Sequence, residues 1–290
     1  MATKLFGRAI KVVVAPKTPN APPGVAMIES SLGFELSSLD CTFHVKKDLK
    51  PKPNTCELKI FNLAESTRKV LETADRLLLR LDAGYRDDNL SQLYLGEIRS
   101  AHTTRSGADI VTEISTGDSE KELKTSRVKL PIGPGVPANL ALEGIASAMK
   151  LGLGNVKQLG TQLLARGFNP FGGKGTVFQG SATDALTAYC QSGGLEWTVD
   201  DGIIQILEKG KPLEGDTVKL SPGSGLIGSP TIDGKGVVKA VALIQPGLKP
   251  GLKVVFDSIN VKGGFRIEQC EYSGDRAGNE WYATFHGKRY

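Results

Sequence analysis

The change of hydrophobic period along the 290 residues constrains the fold more than any other feature of the sequence. In Thr55–Phe61 every second residue is apolar, namely Cys56, Leu58 and Ile60. A period of two is typical of a strand that buries one face. Similar alternation fills the first and last thirds of the chain, whereas the middle carries helical spacing. The sequence therefore predicts two strand-rich regions separated by a mixed insertion.

The first strand-rich region is predicted to contain five strands and one short helix. The strands are residues 34–45, 55–61, 77–83, 92–99 and 109–116, and the first two form a long hairpin. Asn62, with Glu65 three positions later, predicts the N-cap of a helix that ends near Asp75. Val70 and Leu71 give that helix an apolar side. Before this region, four prolines in residues 15–24 favour an extended, unpaired arm.

The middle of the chain is predicted to be α+β. Residues 137–149 form a helix with an apolar side made by Leu140, Ile145 and Met149. Residues 181–192 form a second helix, which begins at Ser181 or Thr183 and has an apolar face of Leu186, Tyr189 and Cys190. A hairpin of residues 195–199 and 202–207 follows, and its turn contains Asp200, Asp201 and Gly202.

The last third returns to strands, predicted at residues 237–244, 253–256, 264–273 and 280–286. Trp281, Ala283 and Phe285 share one face of the last of these strands. The fold class is thus α+β, mostly β, with two antiparallel β domains and an inserted small α+β domain. The predicted boundaries are residues 1–28 for the N-terminal arm and linker, 29–130 for the first β domain, 131–212 for the insertion and 213–290 for the second β domain.

Composition excludes several classes of protein. No apolar run approaches the roughly 18 residues that cross a bilayer, and the first eight residues lack the apolar core of a secretory signal, so we expect synthesis in the cytosol without membrane binding. The net charge of +5 is spread along the chain, which disfavours a nucleic-acid-binding face. The cysteines, Cys41, Cys56, Cys190 and Cys270, show no CxxC spacing, and reduced thiols are expected, with a Cys41–Cys56 disulfide as the alternative.

No catalytic set can be assembled from the sequence. The three histidines, His44, His102 and His286, are scattered and lack metal-ligand spacing, and no GxSxG nucleophile motif is present. Adjacent carboxylates occur at residues 87–88 and 200–201, where a turn explains them. The glycine-rich residues 172–176 lack the spacing of a phosphate-binding loop. We therefore expect no enzymatic activity, no cofactor and no metal, and we expect an alanine at any of the three histidine positions to leave function intact.

One short basic cluster remains, made of Lys46, Lys47, Lys50 and Lys52. Prolines and an asparagine among residues 51–54 are turn formers, so residues 46–54 are predicted to form the exposed tip of a hairpin. A basic tip broken by proline is not expected to pack in its own core. These four lysines are therefore the candidate interface with an adjoining chain, where their charges would steer association.

Several segments together resemble the baseplate hub proteins of contractile-tailed bacteriophages, the late control protein D-like group, and their relatives in bacterial contractile injection machines. The segments are residues 54–63 (NTCELKIFNL), 81–85 (LDAGY), 95–98 (LGEI), 194–202 (GLEWTVDDG), 224–230 (SGLIGSP), 248–252 (LKPGL) and 265–275 (FRIEQCEYSGD) before Glu280 and Trp281. Their order along one chain carries the resemblance.

The resemblance implies two tail-tube-like β domains and a homotrimer that joins the six-fold tail tube to the three-fold central spike. It implies contacts with the tube, spike, tape measure and surrounding baseplate proteins, with genomic DNA only in transit through the lumen. The implied location is the virion tail baseplate, after assembly in the host cytoplasm. Another ring protein of the same lineage, such as a tube initiator, distal tail or adaptor protein, is the alternative, and a cell-wall hydrolase is a more distant one.

Overall fold

A computed structural model of the chain describes residues 7–17, 33–74, 76–86, 90–165, 167, 174–245 and 247–290. The strands are β1 (Arg8–Pro16), β2 (Phe34–Glu35), β3 (Cys41–Asp48), β4 (Thr55–Phe61), β5 (Leu77–Tyr85), β6 (Ser91–Ser106), β7 (Asp109–Gly117), β8 (Arg127–Ile132), β9 (Gly152–Leu153), β10 (Thr176–Ser181), β11 (Leu195–Asp200), β12 (Ile203–Glu208), β13 (Thr217–Leu220), β14 (Leu226–Ile232), β15 (Val237–Leu243), β16 (Lys253–Asp257), β17 (Lys262–Asp275) and β18 (Trp281–Lys288). The helices are α1 (Glu65–Thr73), α2 (Glu120–Thr125), α3 (Ala138–Ala148), α4 (Val156–Ala165) and α5 (Ala182–Ser192).

One large sheet contains strands from both strand-rich regions. Its strands run in the order β14-β15-β18-β17-β3-β4-β7-β6-β5-β1-β2, and β13 and β16 extend it beside β17. The two regions meet where β17 pairs with β3, from Gln269 opposite Asp48 to Asp275 opposite Thr42. The prediction of a mostly β, antiparallel fold is confirmed. The predicted domain boundaries stay predictions, since both regions contribute to a single sheet.

The large sheet has one continuous core, which the alternation of apolar residues produces. The three alternating side chains of β4, Cys56, Leu58 and Ile60, are all completely buried. Trp281 and Phe285 from the last strand belong to the same core. Because alternate residues of a strand point to one side, the predicted face of β18 is buried as expected.

The inserted unit, defined as α2 to β12, has a second core of its own. This core is built from α3, α4 and α5, the antiparallel strand pair β8 and β10, and the small sheet β11-β12-β9. Ser181 is the N-cap of α5, because its hydroxyl accepts a hydrogen bond from the Asp184 amide at 3.2 Å. The core includes Leu123 and Val128, which lie before residue 131.

The N-terminal segment differs from the predicted arm. Residues 8–16 form β1, which pairs with β5 along its whole length and buries Val12 and Val14 completely. The prolines that suggested an arm begin only at Pro16, the last residue of this strand, so they do not interrupt its pairing. Residues 18–28 of the predicted arm lie outside the described residues.

Two helical predictions also need correction. Asn62 is not the N-cap of α1, because its backbone is left-handed (φ 56°) and its side chain bonds to Asp109 and to the Ile110 amide. The helix begins after Ala64 instead and buries Leu71, while Val70 is exposed. In α3, Leu140 is 56% exposed although it was predicted on the apolar side.

All four cysteines are buried free thiols. Cys41 lies opposite Ile60, and Cys56 lies opposite Val45, so the two thiols of the β3–β4 hairpin are not cross-strand partners. Burial raises the pKa of Cys41 to about 11 and that of Cys190 to about 12, which keeps both thiols protonated. The expectation of reduced cysteines agrees with this arrangement. In the part of the chain that the structure describes, no helix is long and apolar enough to span a membrane.

Candidate functional site

A buried lysine marks the junction between the large sheet and the inserted unit. Lys47 lies near the end of β3 and is 1% exposed. Its Nζ donates to Asp200 Oδ1 at 2.5 Å and to Asp201 Oδ1 at 2.8 Å, both in the β11–β12 turn. The interpretation of Lys47 as part of an exposed basic tip is therefore wrong. The turn carboxylates supply the partners that the sequence could not place beside it.

The rest of the predicted tip also packs against the inserted unit. The Asn54 side-chain Nδ2 donates to the Val199 carbonyl at 2.9 Å, and the Thr198 hydroxyl donates to the Asp48 backbone carbonyl at 3.1 Å. Asn54 is 3% exposed. The hairpin between β3 and β4 thus packs against β11 at its base while residues 50–52 stay exposed, which corrects the prediction that no part of this tip packs within its own chain.

The adjacent carboxylates of the β11–β12 turn each have more than one partner. Lys249 Nζ, from the loop before β16, lies 3.7 Å from Asp200 Oδ2 and 3.6 Å from Asp201 Oδ2. Asp201 Oδ1 also accepts the Leu95 amide of β6 at 3.1 Å. The turn prediction for these residues is correct, and Asp201 adopts a left-handed backbone there (φ 54°). The turn is thus linked by ion pairs to β3 and to the loop before β16, and by a hydrogen bond to β6.

A third carboxylate, Asp118, reaches the same turn from the end of β7. Its Oδ1 accepts the Gly202 amide at 2.9 Å and the Ser119 hydroxyl at 2.7 Å. The side chain is almost fully buried, with 2% of the residue exposed. We call Lys47, Asp118, Asp200, Asp201 and Lys249 the junction cluster.

Burial and ion pairing act in opposite directions within the junction cluster. Burial disfavours the charged form of Lys47 and by itself would lower its pKa. The attraction of Asp200 and Asp201 is larger than this effect and raises the Lys47 pKa above its ordinary value. Burial likewise opposes ionisation of Asp200, while Lys47 and Lys249 hold the Asp200 pKa below its ordinary value. Burial and the nearby Asp201 raise the pKa of Asp118 to about 7. Asp118 therefore changes charge near neutral pH.

The other three lysines of the candidate interface remain on the surface. The Lys46 side chain is 54% exposed and the Lys52 side chain 58%, and Lys50 is exposed as well. Lys52 forms an ion pair with Asp48, and Lys46 Nζ lies 4.0 Å from Glu271. Ion pairs this exposed contribute little to stability, so these three charges are free to act in association.

The histidines are not brought together. His44 on β3 contacts the Ser273 hydroxyl at 3.0 Å and Glu271 at 3.7 Å, whereas His102 lies on β6 and His286 on β18. Within the described ranges, no group of three or more His, Cys, Asp or Glu side chains is arranged to hold a metal ion. Residues 87–88, and residues 172–173 of the glycine-rich residues 172–176, lie outside the described part of the chain.

A cleft of about 510 Å³ opens beside the junction cluster. It lies between α4, the β11–β12 hairpin, the connection to β13 and the loop before β16, with Asp200 and Lys249 in its wall. Its other lining residues are mostly amides and aliphatic side chains, including Gln158, Gln205 and Leu252. The lining also includes the Thr198 hydroxyl, Lys211 and the carboxylates Glu208 and Glu214.

The whole fold is similar to that of solved tail proteins. A tail protein from Neisseria meningitidis MC58 superposes with a TM-score of 0.61 at 12% identity, covering 98% of this chain and 97% of that one. The 43 kDa tail protein of prophage MuSo2 from Shewanella oneidensis gives the same TM-score at 11% identity, covering 98% of both chains. The E. coli c3393 protein, described as a type VI secretion component similar in structure to the T4 tail proteins gp27 and gp5, gives 0.52 at 11% identity over 87% of this chain and 73% of its own.

These likenesses define a phage-tail-protein fold. The model of the baseplate hub gp41 family matches residues 28–287. The chain belongs to the baseplate hub gp41 family, and its role is that of a structural component of the tail baseplate hub. No curated protein sequence matches the chain. The resemblance to hub proteins, which the order of the sequence segments along the chain indicated, is confirmed.

The junction cluster was missed by sequence reasoning as a unit. Its members come from positions 47, 118, 200, 201 and 249, and no local pattern links them. One signal was present for Lys47, since Cys41, Phe43 and Val45 precede it at intervals of two and all three are buried. Continuing that alternation by one step places Lys47 on the inner face of β3.

Proposed function

We propose that this hub protein acts as a homotrimer that joins a six-fold tail tube to a three-fold central spike. The observation that carries the proposal is the presence of two strand-rich regions in one chain of the hub family. Three copies would present six such regions, and a ring of six matches a six-fold neighbour while the chain itself keeps three-fold symmetry. The β17–β3 pairing supports this arrangement, since it holds the two regions of each copy in a fixed relation.

The proposed partners follow from that position in the tail. They are other copies of the chain, the tube protein, the spike protein, the tape measure protein and surrounding baseplate proteins. Genomic DNA would only pass through the lumen during ejection. Assembly would take place in the host cytoplasm before the baseplate enters the virion. The hub family is structural, and we extend this to the proposal that the chain has no catalytic activity.

The symmetry of the protein in an assembled tail tests the trimer proposal. We expect a reconstruction of the baseplate to show three copies at the level between tube and spike, each placing its two strand-rich regions in one ring. Six equivalent copies in a ring would contradict the proposal and favour a tube, distal tail or adaptor protein. A zymogram of the purified protein on cell-wall substrate tests the absence of hydrolysis, and a cleared band would contradict it.

We further propose that Lys46, Lys50 and Lys52 contact an adjoining chain in the baseplate. Support comes from their exposure on a hairpin whose backbone is fixed by the Asn54 and Thr198 contacts. A fixed hairpin loses little conformational entropy on binding, so its charges can steer a partner at low cost. Lys47 is not part of this surface, because its ammonium is buried against Asp200 and Asp201.

A further inference from the structure

The junction cluster links strands and loops of the large sheet to the inserted unit. Lys47 comes from β3, Asp118 from the end of β7, and Lys249 from the loop before β16, whereas Asp200 and Asp201 belong to the inserted unit. Two hydrogen bonds from backbone amides to side-chain carboxylates cross the same boundary, from the Leu95 amide to Asp201 Oδ1 and from the Gly202 amide to Asp118 Oδ1. The orientation of the inserted unit on the sheet therefore depends on carboxylates at this junction.

The charges of the cluster balance only when one carboxyl is neutral. Lys47 and Lys249 supply two ammonium groups, and Asp200 and Asp201 supply two carboxylates within 3.7 Å of them. An ionised Asp118 adds a third negative charge in a buried place. Like charges in a medium of low dielectric constant repel strongly, so the ionised form of Asp118 weakens the junction.

The surroundings of Asp118 do not supply the missing counter-charge. No hydrogen-bond donor among the described residues reaches its Oδ2, although that oxygen is buried. The titratable or charged groups that face this carboxyl from the packed elements are Asp200 and Asp201 of the β11–β12 turn, Lys47 of β3, and Tyr94 of β6. Lys47 already forms ion pairs with both Asp200 and Asp201. Arg99 packs beside Gly117, but its guanidinium is paired with Glu120.

We propose that the junction cluster is a proton-controlled latch, which holds the inserted unit firmly on the sheet while Asp118 is protonated and loosens when Asp118 ionises. The latch acts between two parts of one chain and does not depend on the trimer or on any partner. Its physical basis is the charge balance at a buried boundary: two ammonium groups face two carboxylates while Asp118 is protonated and three carboxylates when it is ionised.

The direction of the effect follows from linkage. The folded pKa of Asp118 is raised to about 7, above the value the group has when exposed to water. Such a group stabilises the closed junction fully at pH values below its exposed pKa, and this contribution is lost as the pH rises through the folded pKa. The junction should accordingly be tightest in mild acid and loosest above neutral pH.

Amide hydrogen exchange at the junction tests the latch directly. Leu95 and Gly202 are the reporters, because their amides donate to Asp201 and Asp118 across the boundary. After correction for intrinsic exchange, we expect their protection in the full-length protein to fall at least about tenfold between about pH 5 and about pH 8. The Ile206 amide, which donates to Asn155 Oδ1 inside the inserted unit at 2.8 Å, is the internal control and should keep its protection.

A pair of matched variants separates Asp118 from other acids. Asp118→Asn keeps an oxygen acceptor for Gly202 and removes the charge, so the reporters should stay protected at both pH values. Asp48→Asn changes another nearly buried acid, the one paired with Lys52, and should keep the wild-type pH response. Unchanged protection of Leu95 and Gly202 in the wild type would overturn the proposal whether or not Asp118→Asn folds. A wild-type response in a folded Asp118→Asn protein would overturn it as well.

Discussion

At the scale of residues, a buried ammonium in this protein is kept charged by two carboxylates that follow it by about 150 positions. Taking a charge out of water is costly, and Lys47 is tolerated because both turn aspartates bond to it. A short basic run broken by proline usually indicates a solvated turn, which is why composition favoured the wrong environment for this residue. The alternation along β3 was the better guide, since it depends on geometry that every strand obeys.

We expect Lys47→Met to lower the free energy of unfolding by about 3 to 5 kcal/mol, because it leaves the buried Asp201 and the partly buried Asp200 beside a single, more distant ammonium. Denaturant unfolding followed by circular dichroism measures this loss. Lys46→Met is the matched control, since its side chain points to the opposite face of β3 and is exposed, and its free energy of unfolding should change by no more than about 0.5 kcal/mol. Equal midpoints for the two variants would show that the ion cluster contributes nothing.

The exposed lysines Lys46, Lys50 and Lys52 should affect tail assembly and not the stability of the fold. Replacing Lys46, Lys50 and Lys52 together by Ser should leave the unfolding midpoint unchanged, because exposed ion pairs contribute little. Tail assembly should become slower and less sensitive to salt, as steering charges act on association rates. Counting assembled tails across a salt series by electron microscopy measures the effect. Assembly with unchanged yield and salt response would rule out the proposed interface.

At the scale of elements, three strands with clear alternation were predicted closely, whereas other strands were missed. β4, β7 and β18 follow a period of two and were placed within a residue or two of their ends. β13 and β14 were missed, because glycine, proline and serine near them read as turns. The start of α1 was misplaced because Asn62 satisfies its side chain through Asp109 and Ile110, contacts that depend on tertiary structure.

Trp281 tests the predicted facing of β18. Its ring packs edge-on against Phe43 and Tyr85, with centroids 5.9 and 6.3 Å away, and Arg8 lies 5.6 Å above it. We expect Trp281→Ala to lower the free energy of unfolding by about 3 to 5 kcal/mol and to reduce soluble yield and tail assembly together. Tyr282→Ala, on the other face and only half-buried, should cost clearly less. A Trp281→Ala protein with an unchanged melting temperature would refute the assigned facing.

At the scale of the whole molecule, the joining of two strand-rich regions into one sheet could not be predicted. Local periodicity identifies strands and their buried faces, but the β17–β3 pairing joins residues more than 200 positions apart. Many of the strands and helices were therefore accessible from sequence, whereas their total number and the strand order were not. The same limit applies to the junction cluster, whose charges meet only after the sheet and the inserted unit are in place.

This shared sheet leads to a prediction about fragments. Residues 213–290 alone would leave β17 without its β3 partner and would expose apolar side chains of the common core. We expect that fragment to aggregate or remain unfolded, as an open sheet edge beside exposed core residues promotes association. Size-exclusion chromatography with circular dichroism provides the measurement. A monomeric fragment that unfolds cooperatively would show that the second region is an independent domain.

The two tryptophans of the chain are divided between the two cores. Trp197 lies in the core of the inserted unit and donates to the Thr187 hydroxyl at 3.1 Å, whereas Trp281 lies in the core of the large sheet. The protein thus carries one intrinsic fluorophore in each unit. A Trp281→Phe protein emits from the inserted unit alone, and a Trp197→Phe protein emits from the sheet alone. The loss of each unit's structure can therefore be followed optically, without any attached dye.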